Sequence, residues 1–138
     1  MKHEIHCSWK GGMAFEADVL GHAVRMDADK ESGGADSGAR PKPLLLAALS
    51  GCTGMDVVSI LMKMRQPLSY FDMQVEGELA EEHPKRYNSM TLVYRFRDSD
   101  GLDRQKVLDA VTLSLEKYCG VIATLRDAVE FSWRIDYL

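Results

Sequence analysis

At 138 residues the chain has the length of one domain, and 46% apolar residues are enough to bury a core. Its net charge of −4 comes from 17 basic and 21 acidic residues, and the scatter of the basic ones excludes the Lys/Arg stripe of a nucleic-acid surface. Three widely spaced cysteines, without a Cys-x-x-Cys or a Cys/His cluster, exclude a zinc site and leave free thiols whose disulfides would be transient.

The chain opens on Lys2-His3-Glu4-Ile5-His6, with no apolar signal core, so a cytoplasmic location is expected. Ile5, Cys7 and Trp9 then alternate with His6, Ser8 and Lys10, the period-two pattern of a half-buried strand, with Cys7 on its core face. Gly11-Gly12 and Leu20-Gly21 read as turns, with strands over 13–17 and 22–27 completing a three-stranded meander. Residues 28–40, rich in Gly, Asp, Ser and Ala, predict a mobile loop.

Arg40-Pro41-Lys42-Pro43 leads into a helix that runs to about residue 66 and is stopped by Pro67. It is apolar nearly all round, which predicts burial on every side. A chain of this size can hardly supply that cover, so an intertwined dimer is expected. Its longest apolar run, Leu44 to Met55, is too short and too rich in small residues to span a bilayer, so no membrane partner is expected.

Two clear strands follow. Phe71, Met73, Val75, Gly77 and Leu79 alternate with polar residues, and Met90, Leu92, Tyr94 and Phe96 alternate with Thr91, Val93, Arg95 and Arg97. Asp103 is a fair N-cap for a second long helix ending at Cys119, with Tyr118 beside it as a packing aromatic. A short helix over 121–127 and a last strand through Val129, Phe131, Trp133, Ile135 and Tyr137 close the chain. The order β-β-β-α-β-β-α-β predicts one α+β domain over residues 1–138, with mainly antiparallel sheets around two long helices.

The run from Pro41 through Leu44-Leu45-Leu46-Ala47-Ala48-Leu49 and Gly51-Cys52-Thr53 to Met55-Asp56-Val57-Val58 resembles the first-cysteine helix of the OsmC/Ohr family. These are the osmotically induced protein C and organic hydroperoxide resistance proteins. Glu116-Lys117-Tyr118-Cys119 stands where that family carries its second cysteine, and Gly77-Glu78-Leu79-Ala80-Glu81-Glu82-His83-Pro84 is similar to a less-characterised OsmC-like branch.

The resemblance covers nearly the whole chain. It implies an intertwined homodimer that reduces organic hydroperoxides at its interface. Cys52 would attack the peroxide and Cys119 would resolve the sulfenic acid. The resemblance implies no bound cofactor and an external dithiol, of a lipoyl-linked kind, that would regenerate the thiols.

Well-studied members activate the first cysteine with an arginine–glutamate pair, the glutamate near the start of the helix. Here those positions are Lys42 and Pro43, and no carboxylate lies between Asp36 and Asp56. Arg40 or Arg25 is the candidate cation, and Glu116, one turn before Cys119, the candidate carboxylate. Asp56, one turn after Cys52, would raise a nearby thiol pKa and is no activator. The alternative is a non-catalytic OsmC-like protein that binds an apolar or thiol-reactive small molecule in the same pocket. A sulfur or acyl carrier using Cys52 alone is a weaker third.

Overall fold

The computed structural model describes residues 1–138. They form two compact units, Met1–Leu45 and Leu46–Leu138.

The first unit is an antiparallel sheet of β1 (His6–Trp9), β2 (Phe15–Val19) and β3 (His22–Met26), in the order β1-β2-β3. Strands β2 and β3 join through Leu20 and Gly21, both at positive φ (52° and 91°), as a two-residue hairpin of matching twist requires. The Asp18 carboxylate accepts the Gly21 N–H at 2.8 Å and pins that turn. Cys7 sits on β1 with Ile5 and Trp9 near it, and all three side chains are exposed. Alternation thus placed Cys7 on the apolar face of this sheet, but that face is open around Cys7, although Ala17 opposite it is buried.

The loop over 28–40 is organised rather than featureless. Asp27, buried at the end of β3, accepts the amide N–H of Ala28 (2.8 Å), Ala35 (3.2 Å) and Ser37 (3.1 Å) and the Ser37 hydroxyl (2.6 Å). Gly38 is required where the returning chain runs alongside β3, because a Cβ there would lie 2.6 Å from the Arg25 carbonyl oxygen.

The second unit is built on α1 (Leu44–Lys63) and a sheet of β4 (Phe71–Leu79), β5 (Tyr87–Phe96) and β6 (Glu130–Tyr137), in the order β4-β5-β6. Strands β4 and β5 are antiparallel, whereas β5 and β6 are parallel. A parallel partner needs a long crossover, and residues 97–129 supply it. They hold a 3₁₀ turn (Asp98–Asp100), α2 (Arg104–Leu113), a π-helical segment (Ser114–Tyr118) and α3 (Gly120–Leu125). Asp103 caps α2, accepting the N–H of Gln105 at 3.0 Å and of Lys106 at 3.3 Å.

Only one stripe of α1 is fully buried: Leu49, Thr53, Val57 and Leu61, at a spacing of four. Its three apolar members share a core with Met90, Leu92, Tyr94 and Phe96 of β5 and Val107, Ala110 and Val111 of α2. Leu46, Cys52 and Ile60 flank that stripe half-buried, and the opposite face is open to solvent, with Met55 75% and Met62 68% exposed. Uniform apolarity predicted burial all round, but within one chain a single face is covered. By length and composition alone α1 could cross a bilayer. Its Asp56 carboxylate and its Thr53 hydroxyl are instead held by side chains of the same unit. The helix ends through Arg65 at positive φ (57°), with the Gln66 N–H bonded to the Leu61 carbonyl at 3.0 Å, before Pro67 is reached.

Candidate functional site: a thiol pair beside a buried hydroxyl cluster

Cys52 lies in the third turn of α1, half-buried, and Cys119 lies between the π segment and α3, buried at 3% exposure. The two side chains approach to 3.4 Å as free thiols, over an ångström more than the roughly 2.05 Å of a disulfide bond. Residues 67 positions apart in the chain are thus brought together by the packing of α1 against the end of the second long helix.

The backbone around Cys119 is specialised. In the last turn of this helix the hydrogen bonds lengthen to i→i+5, and the Cys119 N–H closes the segment on the Ser114 carbonyl at 2.8 Å. The Cys119 sulfur then caps α3 by accepting the Ile122 N–H at 3.5 Å. Burial above all, and the neighbouring Cys52 to a lesser extent, push the Cys119 thiol up to about 11. The Ile122 N–H stabilises the thiolate, but desolvation outweighs it.

Next to the thiols lies a cluster of buried hydroxyls. Thr53 Oγ1 is 2.8 Å from the Tyr94 hydroxyl and 2.7 Å from Ser114 Oγ, and Ser114 Oγ donates to Asp56 Oδ2 at 2.9 Å. Every buried side-chain N or O atom has a partner. Desolvation drives the Tyr94 hydroxyl up to about 12, offset in part by its bond to Thr53. Asp56 is therefore engaged by Ser114. Thr53, Tyr94 and Ser114 were not singled out from the sequence. The available signal was a polar residue at the inward position of each of three apolar stripes, since a buried hydroxyl must find a partner.

The remaining sequence candidates are placed differently. Arg25 and Arg40 belong to the first unit. The Arg25 Nε donates to Ser37 Oγ at 3.0 Å, and Arg40 pairs with Asp36 at 2.8 Å and donates to the Gly38 carbonyl at 3.0 Å. Glu116 is on the exposed side of the π segment, beside a cleft that also takes in Leu115, Ile122 and Arg126. Tyr118 is 54% exposed rather than packed.

A groove of about 780 Å³ runs along α1 past Gly51, Gly54, Met55, Val58 and Met62 to Phe71 and Met73 of β4. Gly54 and Gly51 leave the helix surface shallow there, and the walls are mainly apolar.

Residues 33–134 match the family model described as OsmC-like protein, a span that includes both cysteines and the hydroxyl cluster. The chain belongs to the OsmC-like protein family. Protein YhfA of Escherichia coli K12 is 34% identical over 130 residues, covering 94% of this chain and 93% of that protein. Among solved structures, a hypothetical protein from Aquifex aeolicus VF5 is similar with a TM-score of 0.82 at 26% identity, covering 100% of this chain and 98% of that one. An organic hydroperoxide resistance protein OsmC from Legionella pneumophila superposes with a TM-score of 0.70 at 18% identity, with 97% of each chain covered, which shows a shared fold. The α+β architecture of two sheets and intervening helices is thus the OsmC-like fold.

Proposed function

We propose that this OsmC-like protein is a thiol peroxidase for organic hydroperoxides, in which Cys52 attacks and Cys119 resolves. The observation that carries the reading is the 3.4 Å approach of two free thiols, one half-buried within α1 and one enclosed at the end of the π segment. Burial divides the roles. Cys52 is the more accessible sulfur, while Cys119 is held as the neutral thiol that a condensation step uses. The shared fold with a protein named for organic hydroperoxide resistance supports the same assignment.

In the first step the Cys52 thiolate attacks one oxygen of the hydroperoxide. An S–O bond forms, the O–O bond breaks, and the leaving alkoxide takes a proton to depart as the alcohol. Cys52 is oxidised to the sulfenic acid. The Cys119 thiol then displaces the hydroxyl group, whose oxygen leaves as water with the Cys119 proton, and a Cys52–Cys119 disulfide results. An external dithiol restores both thiols by exchange and is itself oxidised to a disulfide.

The exposed face of α1 supports a homodimeric working form. Met55 and Met62 stand open beside the apolar groove, and a second copy of the chain would cover them. Met55→Glu is expected to convert a dimer to a monomer in light scattering; a wild-type monomer would leave the groove to a small apolar ligand instead.

The function is tested by a stoichiometric alkyl hydroperoxide pulse followed by intact mass and thiol counting. Rapid loss of two hydrogens' mass, abolished by Cys52→Ser or Cys119→Ser, is the expected result. Thiols unchanged over minutes would reject peroxidase chemistry.

A further inference from the structure

Ser114 is fully buried, and besides the helical bonds of its N–H to the Ala110 and Val111 carbonyls it holds three further partners. Its carbonyl accepts the Cys119 N–H at 2.8 Å, while its hydroxyl bonds Thr53 at 2.7 Å and Asp56 at 2.9 Å. Thr53 directly follows Cys52, and Asp56 lies one helical turn beyond it. One residue therefore grips both cysteine-bearing segments, the turn of α1 through its side chain and the Cys119 backbone through its carbonyl.

The directions of these bonds are set by chemistry. A carboxylate only accepts, so Ser114 gives its single hydroxyl proton to Asp56 and accepts from Thr53. Thr53, having donated, accepts from Tyr94. The weaker option for Ser114, the Thr53 carbonyl at 3.5 Å, is then unused. Three hydroxyls and one carboxylate form a single chain across α1, β5 and the π segment, each hydroxyl donating once.

We propose that Ser114 is the positioning residue of the thiol pair: with Thr53, Asp56 and Tyr94 it clasps α1 to the π segment and holds Cys52 and Cys119 within disulfide reach. It touches neither substrate nor a reacting sulfur. Disulfides tolerate Cα separations of only roughly 4.4–6.8 Å, so small slippage of one segment against the other costs bond formation. The clasp accounts for two features together: a polar residue in the buried stripe of α1, and a helix that widens where Ser114 begins the π turn.

The inference rests on the thiol pair assigned above, but its test needs no peroxide. In a Cys7→Ser background, the full chain is equilibrated in glutathione buffers, and the Cys52–Cys119 disulfide is quantified by mass after acid quench. Ser114→Ala and Thr53→Val are each expected to shift the equilibrium about tenfold towards the dithiol, the size of one net hydrogen bond. Ser114→Thr restores it to within about threefold. Val111→Ala, which removes only buried apolar atoms and keeps the carbonyl that accepts the Ser114 N–H, supplies matched destabilisation and leaves the equilibrium in place.

Should Ser114→Ala not fold, Thr53→Val decides. Equilibria within about twofold of the parent, an equal shift in Val111→Ala, or no disulfide in the parent chain would each overturn the proposal. A disulfide that forms in glutathione and responds to Ser114, in a chain inert to hydroperoxide, would reject the peroxidase reading and leave the clasp standing.

Discussion

Alkylation of the reduced protein tests directly whether burial governs Cys119. An ordinary thiol at 9.0 is roughly 9% thiolate at pH 8, whereas one at about 11 is roughly 0.1%. Since the thiolate is the nucleophile, Cys119 should react with iodoacetamide about ninetyfold more slowly than an unperturbed thiol, before any steric protection is counted. Its rate should climb about tenfold per pH unit until pH approaches 11. Cys7, exposed on β1, should be labelled early.

The informative variant is Cys52→Ala. Cys52 raises the Cys119 thiol through its hydrogen bond and its charge, but burial comes first among the causes. Removing Cys52 should therefore lower the Cys119 midpoint and still leave it above 9, read from the thiolate absorbance or from the pH dependence of labelling by peptide mass. A wild-type midpoint at or below 9 would refute the burial argument. A fall all the way to 9 in Cys52→Ala would transfer the cause from desolvation to the neighbouring sulfur.

Asp27 gives a prediction of the opposite sign. Its carboxyl is held down to about 2 from 3.8, chiefly by the Ser37 hydroxyl and amide, so its stabilisation of the loop is present above pH 4 and lost as pH falls towards 2. Protection of the Ala35 and Ser37 amides from exchange, corrected for intrinsic rates, should fall in that window and be weak at pH 6 in Asp27→Asn; protection flat from pH 5 to 2 would contradict it. In the second unit, Gly77→Ala should destabilise the chain by about 1–3 kcal/mol in urea unfolding, because its Cβ would lie 2.6 Å from the Tyr87 ring. A change below about 0.5 kcal/mol would mean that the ring moves aside freely.

Much of the architecture was legible because it depends on short-range periodicity. Alternation of two located β4, β5 and β6, Asp103 marked the start of α2, and Gly-containing turns divided the first sheet. The cysteine positions and the apolar helix were enough to suggest the family, which residues 33–134 then matched. Alternation reports two faces of a strand, however, and not whether either is covered, which is why Cys7 lies on an open face. Composition suggested a mobile stretch over 28–40, yet one buried carboxylate collects four hydrogen bonds from it. Strand spacing likewise carries no direction, so the parallel pairing of β6 with β5 emerged only with the crossover that delivers it.

The site divides in the same way. The sequence alone determined that Cys52 lies inside one helix and Cys119 at the end of another, because helix periodicity and caps are local properties. Only the tertiary structure decided that they meet at 3.4 Å, that Cys119 is the enclosed one, and that Glu116 faces outward from a widened turn. It also decided that Thr53, Tyr94, Ser114 and Asp56 form one hydrogen-bonded chain. Each of the three hydroxyl residues is unremarked in its own element. Their need for partners appears only when α1, β5 and the π segment exclude water from the same small volume, and desolvation depends on everything packed around a group rather than on its neighbours in the chain.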